Sequence, residues 1–164
     1  MSEKLSKYDT EVWQRLVESQ NEFNSASRMF LSSDIDRVSL MKEKLYSLDR
    51  DTAFYFLPYL KKEELMQIFD ILVPLASTAH SSVGRVKEAI LSLPHEWIIK
   101  KIEQLVEPLL IDGTDDEYRR LLELYFELDK DLTLKLAQRA AQHTDLHIKE
   151  AGEDYLEIFE KRHE

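Results

Sequence analysis

One apolar spacing recurs four times along the chain and restricts the fold more than any other feature. Val83, Val86, Ile90 and Leu93 stand at i, i+3, i+7 and i+10, on one side of a helix with 3.6 residues per turn. The same spacing fits Val38, Met41, Leu45 and Leu48, then Tyr118, Leu121, Tyr125 and Leu128, then Ile148, Ala151, Tyr155 and Ile158. All 16 positions are apolar, whereas a chain that is 43% apolar would fill about 7 of them by chance. The copies begin at residues 38, 83, 118 and 148, so successive offsets are 45, 35 and 30 residues. Their corners also match: Leu48-Asp49-Arg50-Asp51 and Leu128-Asp129-Lys130-Asp131 flank Leu93-Pro94-His95-Glu96. A period of tens of residues, in units that cannot bury their apolar faces alone, predicts stacked helical hairpins.

The hairpin from Val83 to Leu110 is the clearest unit. Its helices meet at Leu93-Pro94-His95, and Ile98, Ile102, Leu105 and Leu109 form the core side of the second one. After it, Gly113 is a helix stop, and Thr114 with Glu117 reads as a capping box for the next helix. Leu132, Leu136 and Ala140 belong to the second helix of the third unit, which ends near Gln142, and a last helix runs from about Asp145 to Lys161.

The segments before the central unit are less regular. Val12, Leu16, Phe23, Ala26 and Phe30, widened by Trp13 and Val17, give a helical stripe that does not fit the four-position spacing. Terminal units of repeat arrays are atypical because one side meets water, so residues 9–32 read as an N-terminal cap behind a frayed segment at 1–8. Ser32-Ser33-Asp34 offers capping side chains for a helix over 35–48. Between Asp51 and Ala76, Pro58 should stop or kink a helix near Leu57, and Leu65, Ile68, Phe69 and Leu72 carry the stripe on to a stop at Pro74. Residues 77–82 form a loop.

Composition narrows the class. Three glycines and four prolines leave little room for linkers, no strand alternation stands out, and the chain reads as one all-α domain of 164 residues. No apolar run has the form of a signal peptide or approaches the length of a membrane span, and there is no cysteine. The expectation is a cytoplasmic protein with no membrane partner. Net charge is -10, unevenly spread: residues 112–164 carry 15 acidic and 8 basic side chains. Binding to nucleic acid draws its affinity from neutralised phosphates, so this balance argues against a nucleic-acid partner.

The chemically suggestive clusters each have a structural reading. His143 and His147 have the spacing of two metal ligands on one helix, but Thr144 and Asp145 look like a helix start between them. Asp112, Asp115, Asp116 and Glu117 lack the glycine and final glutamate of a calcium loop, and suit the positive end of a helix. His95 and Trp97 bring a titratable group and a large aromatic to one bend, where packing explains them. Phe54, Tyr55, Phe56 and Tyr59 read as core, with the tyrosine pair able to line a groove. No metal and no cofactor is expected.

The four stripes, the corners at Leu48, Leu93 and Leu128, and a basic residue in each first helix (Arg37, Arg85, Arg119, Lys149) make residues 34–162 resemble HEAT-like α-helical repeats. The spacing is less regular than in that class, and the proline usual in its first helices is missing. The resemblance implies a right-handed α-solenoid of about three to four hairpins behind the N-terminal cap. It also implies a non-enzymatic scaffold that binds a protein or peptide on its second helices. The side chains those helices would offer are Lys100, Glu103, Gln104 and Glu107 in the central unit, and Lys135, Gln138 and Arg139 in the third. The alternative it implies is an enzyme or cofactor-binding protein, such as a bilin lyase or a glycosylase acting on alkylated purines. The glycosylase would need a basic groove.

Overall fold

A computed structural model describes residues 5–161, and every regular element among them is helical. The helices are α1 (Lys7–Ser32), α2 (Arg37–Lys44), α3 (Arg50–Phe56), α4 (Lys62–Gln67), α5 (Phe69–Ser77), α6 (Val83–Leu91), α7 (His95–Ile111), α8 (Asp115–Leu128), α9 (Lys130–Ala141) and α10 (Leu146–Lys161), with a 3-10 turn at Leu57–Tyr59. They fall into two compact units, residues 1–36 and 37–164.

The first unit is α1. Ser6 opens it with a capping box: its hydroxyl accepts the Asp9 N–H at 3.1 Å while the Asp9 carboxylate accepts the Ser6 N–H at 2.8 Å. Of the segment expected to fray, residues 1–4 lie outside the described residues, and Ser6 to Tyr8 are ordered by this cap. No residue of α1 is buried; Val12, Trp13 and Leu16 are all at least half exposed.

In the second unit the core-facing stripes are largely those of the repeated spacing. Met41, Leu45, Val86, Ile90, Leu93, Tyr118, Leu121, Tyr125, Leu128, Ile148 and Ala151 are buried. Val38, Val83 and Tyr155 are half-buried, and two positions are exposed. Leu48 is fully exposed, because α2 ends at Lys44 and the chain turns through Ser47, whose hydroxyl donates to the Lys44 carbonyl at 3.0 Å. Ile158 is exposed too, and Phe159 is buried in its place against Phe126, 5.9 Å between ring centres. The core side of α7 likewise runs through Ile98, Ile102, Val106 and Leu110, leaving Leu105 and Leu109 half-buried.

Between Asp51 and Ser77 the breaks move. The 3-10 turn at Pro58 matches the expected stop, but the next break falls at Ile68, and Pro74 lies inside α5 instead of ending it. Tertiary burial overrides the missing N–H: Leu72, Val73, Leu75 and Ala76 are buried on several sides, where α5 packs against α6, α7 and α8. Pro108 sits inside α7 in the same way.

Later boundaries follow their caps. Glu117 accepts the Thr114 backbone N–H at 2.8 Å and the Thr114 hydroxyl proton, closing the expected box at the start of α8. Asp129 caps α9 through the Leu132 N–H at 2.9 Å, and Asp145 caps α10 through His147 and Ile148 at 2.9 and 3.2 Å. Against α9, α10 approaches closely at Gly152, where a Cβ would stand 2.4 Å from the Ala141 nitrogen and 2.5 Å from the Ala137 carbonyl oxygen.

Two stability measurements check this packing. Gly152→Ala should cost about 1–3 kcal/mol, because backbone must move to admit one methyl and this outweighs the better helix propensity of alanine. Gly84→Ala, where nothing lies within 4 Å, should be neutral or stabilise by up to about 1 kcal/mol. Urea denaturation giving the two changes the same sign would contradict the α9–α10 contact.

The second concerns Glu117, whose carboxyl the Thr114 hydroxyl, and less strongly the Thr114 N–H, hold below its ordinary 4.5 against an opposing effect of burial. A lowered folded value means that the cap stabilises fully above the unfolded pKa and is lost as pH falls through the folded one. Glu117→Gln should therefore cost about 0.5–1 kcal/mol at pH 7, with the difference from the parent closing in thermal melts as pH falls below the ordinary glutamate range.

Candidate interaction surface

Helices α7 and α9 lie alongside one another with their exposed sides joined by a two-rung ladder. Lys135 pairs with Glu103, and Arg139 pairs with Glu107 at 2.7 Å. Both rungs link residues 32 apart, and the rungs are four residues apart on each helix, so α7 and α9 run in the same direction in register. Beneath the ladder is a groove floored by Val106, Leu110, Leu132 and Leu136, with Tyr125 of α8 at its base. Burial, and secondarily the Glu103 and Glu107 carboxylates, push the Tyr125 phenol well above the ordinary tyrosine range. It is a neutral hydroxyl at the bottom of a rim whose charges already match.

Ion pairs also link α6 to α8 and α8 to α10. Lys87 of α6 reaches Glu127 at 3.0 Å and Glu123 at 3.7 Å on α8, and Arg119 of α8 reaches Asp154 at 3.3 Å and Glu150 at 3.7 Å on α10. Further toward the N-terminus, Arg37 of α2 holds Glu64 of α4 at 2.8 Å with both side chains largely buried. Arg85 instead stands over the Tyr55 ring at 5.2 Å, and Lys149 pairs only within its own helix.

On the other flank of α7 a second cleft opens toward α5. Its apolar part is Met66, Phe69, Trp97 and Leu105, with Phe69 and Trp97 edge to face at 5.0 Å. Lys42, Asp70, Lys101 and Gln104 surround it, and the Lys101 ammonium stands over the Trp97 ring at 5.4 Å. Pro74 and Pro108 have no N–H to give the carbonyls four residues earlier, those of Asp70 and Gln104. Each wall of this cleft thus carries a carbonyl without its usual helical donor.

The seven expected surface residues divide between these features. Glu103, Glu107, Lys135 and Arg139 are brought together, but as partners of each other. Lys100 and Gln104 lie exposed on the crest of α7 between the two clefts, and Gln138 is exposed on α9. Sequence reasoning missed the α5–α7 cleft. A signal was present in Trp97, Lys101 and Leu105, which follow one another at i+4 beside the core stripe, but Leu105 had been assigned to the core.

The other candidate clusters have structural partners. Nε2 of His95 donates to the Leu128 carbonyl at 2.9 Å, tying the start of α7 to the end of α8. His143 and His147 stand on different elements; the ring of His143 lies 5.6 Å from that of Tyr118, and its Nδ1 accepts the Asp145 N–H at 3.0 Å. Among the described residues no three histidine or acidic side chains converge as metal ligands. In the acidic cluster, Asp115, Asp116 and Glu117 form the first turn of α8. Phe54 and Phe56 are buried, and Tyr59 stacks on Tyr55 at 5.8 Å with its ring half exposed. No described helix is long and apolar enough to cross a membrane.

No family model matches this chain, and neither the curated proteins nor the solved structures contain a match to it.

The ladder can be tested by exchange of charge. Its rungs are solvent-exposed, so each contributes little on its own. Glu103→Lys with Glu107→Lys should destabilise by about 1–2 kcal/mol, because it sets four cations together. Adding Lys135→Glu and Arg139→Glu should restore most of that in urea unfolding. A fourfold variant no more stable than the double would rule out this register.

Proposed function

We propose that residues 37–161 form a HEAT-like stack of helical hairpins whose later helices carry a binding surface for a protein or peptide. The observation that carries this reading is the α7–α9 ladder, because second helices of successive stacked hairpins run parallel and in register while helices of one hairpin run antiparallel. The equivalent ties of α6 to α8 and of α8 to α10 support the same stacking for the first helices. In such a stack one face of the second helices is committed to the core, here through Ile98, Ile102, Val106 and Leu136, and the other is left to solvent.

The open face has the chemistry of a recognition surface and not of bulk electrostatic attraction. Its charges near α9 are paired, its crest offers the amides of Gln104 and Gln138, and its two clefts are apolar at the base. A partner would gain affinity by filling clefts and completing hydrogen bonds at their edges. The protein acts by binding, as an adaptor or scaffold.

Site-specific photocross-linking tests this. A photoreactive amino acid placed at Gln104 or Gln138 should capture the same partner in cells. The same group at Glu88 or Glu153, exposed on the first helices α6 and α10, should not. Capture that is equal on both sets, or confined to the first helices, would place recognition elsewhere and overturn the reading.

A further inference from the structure

We propose that the α5–α7 cleft binds a short acidic peptide segment that lays one large apolar side chain over the Phe69–Trp97 contact, against Trp97, Met66 and Leu105. This rests on the reading of the second-helix face as a binding surface, and adds the chemistry of the partner.

The argument begins with unmatched donors. Lys42 and Lys101 line the cleft without an ion pair to any described carboxylate, and Lys101 stands over the half-buried Trp97 ring at 5.4 Å. Lys100, one position along α7, is also exposed and unpaired among them. Asp70 is the one acid lining the cleft. On the opposite flank of the same helix, every cation on the groove rim has its carboxylate, Glu103 for Lys135 and Glu107 for Arg139. In a chain of net charge -10, an apolar cleft edged by unmatched cations runs against the general balance.

The base of the cleft sets the second requirement. Phe69 is buried, Trp97 meets it edge to face at 5.0 Å, and Met66 and Leu105 are half-buried beside them. An aromatic or branched aliphatic side chain placed there buries apolar area against three kinds of surface, of which the methionine adapts most readily. The lysines then meet carboxylates on either side of that anchor. Distributed negative charge elsewhere opposes an acidic ligand, but beyond a Debye length of ~8 Å at physiological salt it is largely screened, whereas the cleft donors act at contact. A helix-in-groove or extended segment satisfies the same contacts.

The test uses the full chain with Trp13→Phe, which leaves Trp97 as the single indole. The probe is an N-acetylated, C-amidated octapeptide of six glutamates flanking a central Leu-Phe pair. Two controls accompany it: the same peptide with lysines in place of the glutamates, and with serines in place of the Leu-Phe pair. In nitrogen-15 spectra the acidic probe should shift the Trp97 indole resonance saturably. Lys42→Glu and Lys101→Glu should each weaken binding about tenfold or more, whereas the charge-matched Lys149→Glu on α10 should not. Melting followed by circular dichroism confirms that these surface variants fold.

The proposal is overturned if millimolar acidic probe leaves the indole unmoved. It is also overturned if either control peptide binds as tightly, or if the two cleft variants behave like Lys149→Glu. Shifts confined to Lys135, Gln138 and Arg139 would sink the cleft assignment while leaving the second-helix face intact. A partner captured only from first-helix positions would sink that face, whatever the probe does.

Discussion

α5 holds the second unit together. It is nine residues long with a proline inside it, and its neighbours α2, α3, α4 and α6 run only six to nine residues. Isolated helices below ~12–15 residues are marginal in water, so none of these would persist on propensity. What makes them possible is mutual burial. Leu72, Val73 and Ala76 of α5 have no exposed surface, and α5 touches α6, α7 and α8 together. A helix wrapped on this many sides keeps its form despite Pro74, since unwinding it would expose all three contacts at once. Stability in such an arrangement belongs to interfaces between helices more than to the helices themselves.

The same constraint explains how the candidate surface arises. α5 packs directly on α7, whereas α7 and α9 are joined across their exposed edges by the Lys135 and Arg139 pairs, and a cleft lies on each flank of α7. The two clefts along α7 differ in chemistry because of one turn of sequence. Glu103 and Glu107 face α9 and find Lys135 and Arg139, so that flank is electrostatically closed. Trp97, Lys101 and Leu105 face α4 and α5 and find Met66, Phe69 and Asp70, so that flank is apolar and open. Proline contributes to both walls of the open cleft by withholding a helical N–H from a carbonyl on each.

Titratable groups that look functional in isolation are largely occupied by architecture. His95 fastens the start of α7 to the carbonyl end of α8, and Asp145 and Glu117 satisfy backbone N–H groups that a helix start leaves over. The His80 ring stacks on Phe54 at 4.9 Å, with Nδ1 accepting the Ser82 N–H and Nε2 donating to the Leu75 carbonyl at 2.9 Å. Corners of a short-helix stack contain many orphan backbone groups, and short polar side chains and imidazoles are what reaches them.

From the sequence alone came the all-helical class, the stripes at Val86, Ile90 and Leu93 and at Tyr118, Leu121 and Tyr125, and the cap at Thr114 with Glu117. These depend on residues within a few turns of one another, where periodicity and local hydrogen bonding decide. Tertiary structure alone decided that Pro74 lies within a helix, that Leu48 turns outward, and that Phe159 replaces Ile158 in the core. Each reverses a local preference through burial against a distant element. The candidate surface divides along the same line. That α7 would show Lys100, Glu103, Gln104 and Glu107 outward was legible in its own periodicity. That Glu103 and Glu107 would be spent on Lys135 and Arg139, while Trp97 and Lys101 open onto Phe69, was not, because those partners lie 28 to 32 residues away and only packing brings them within reach.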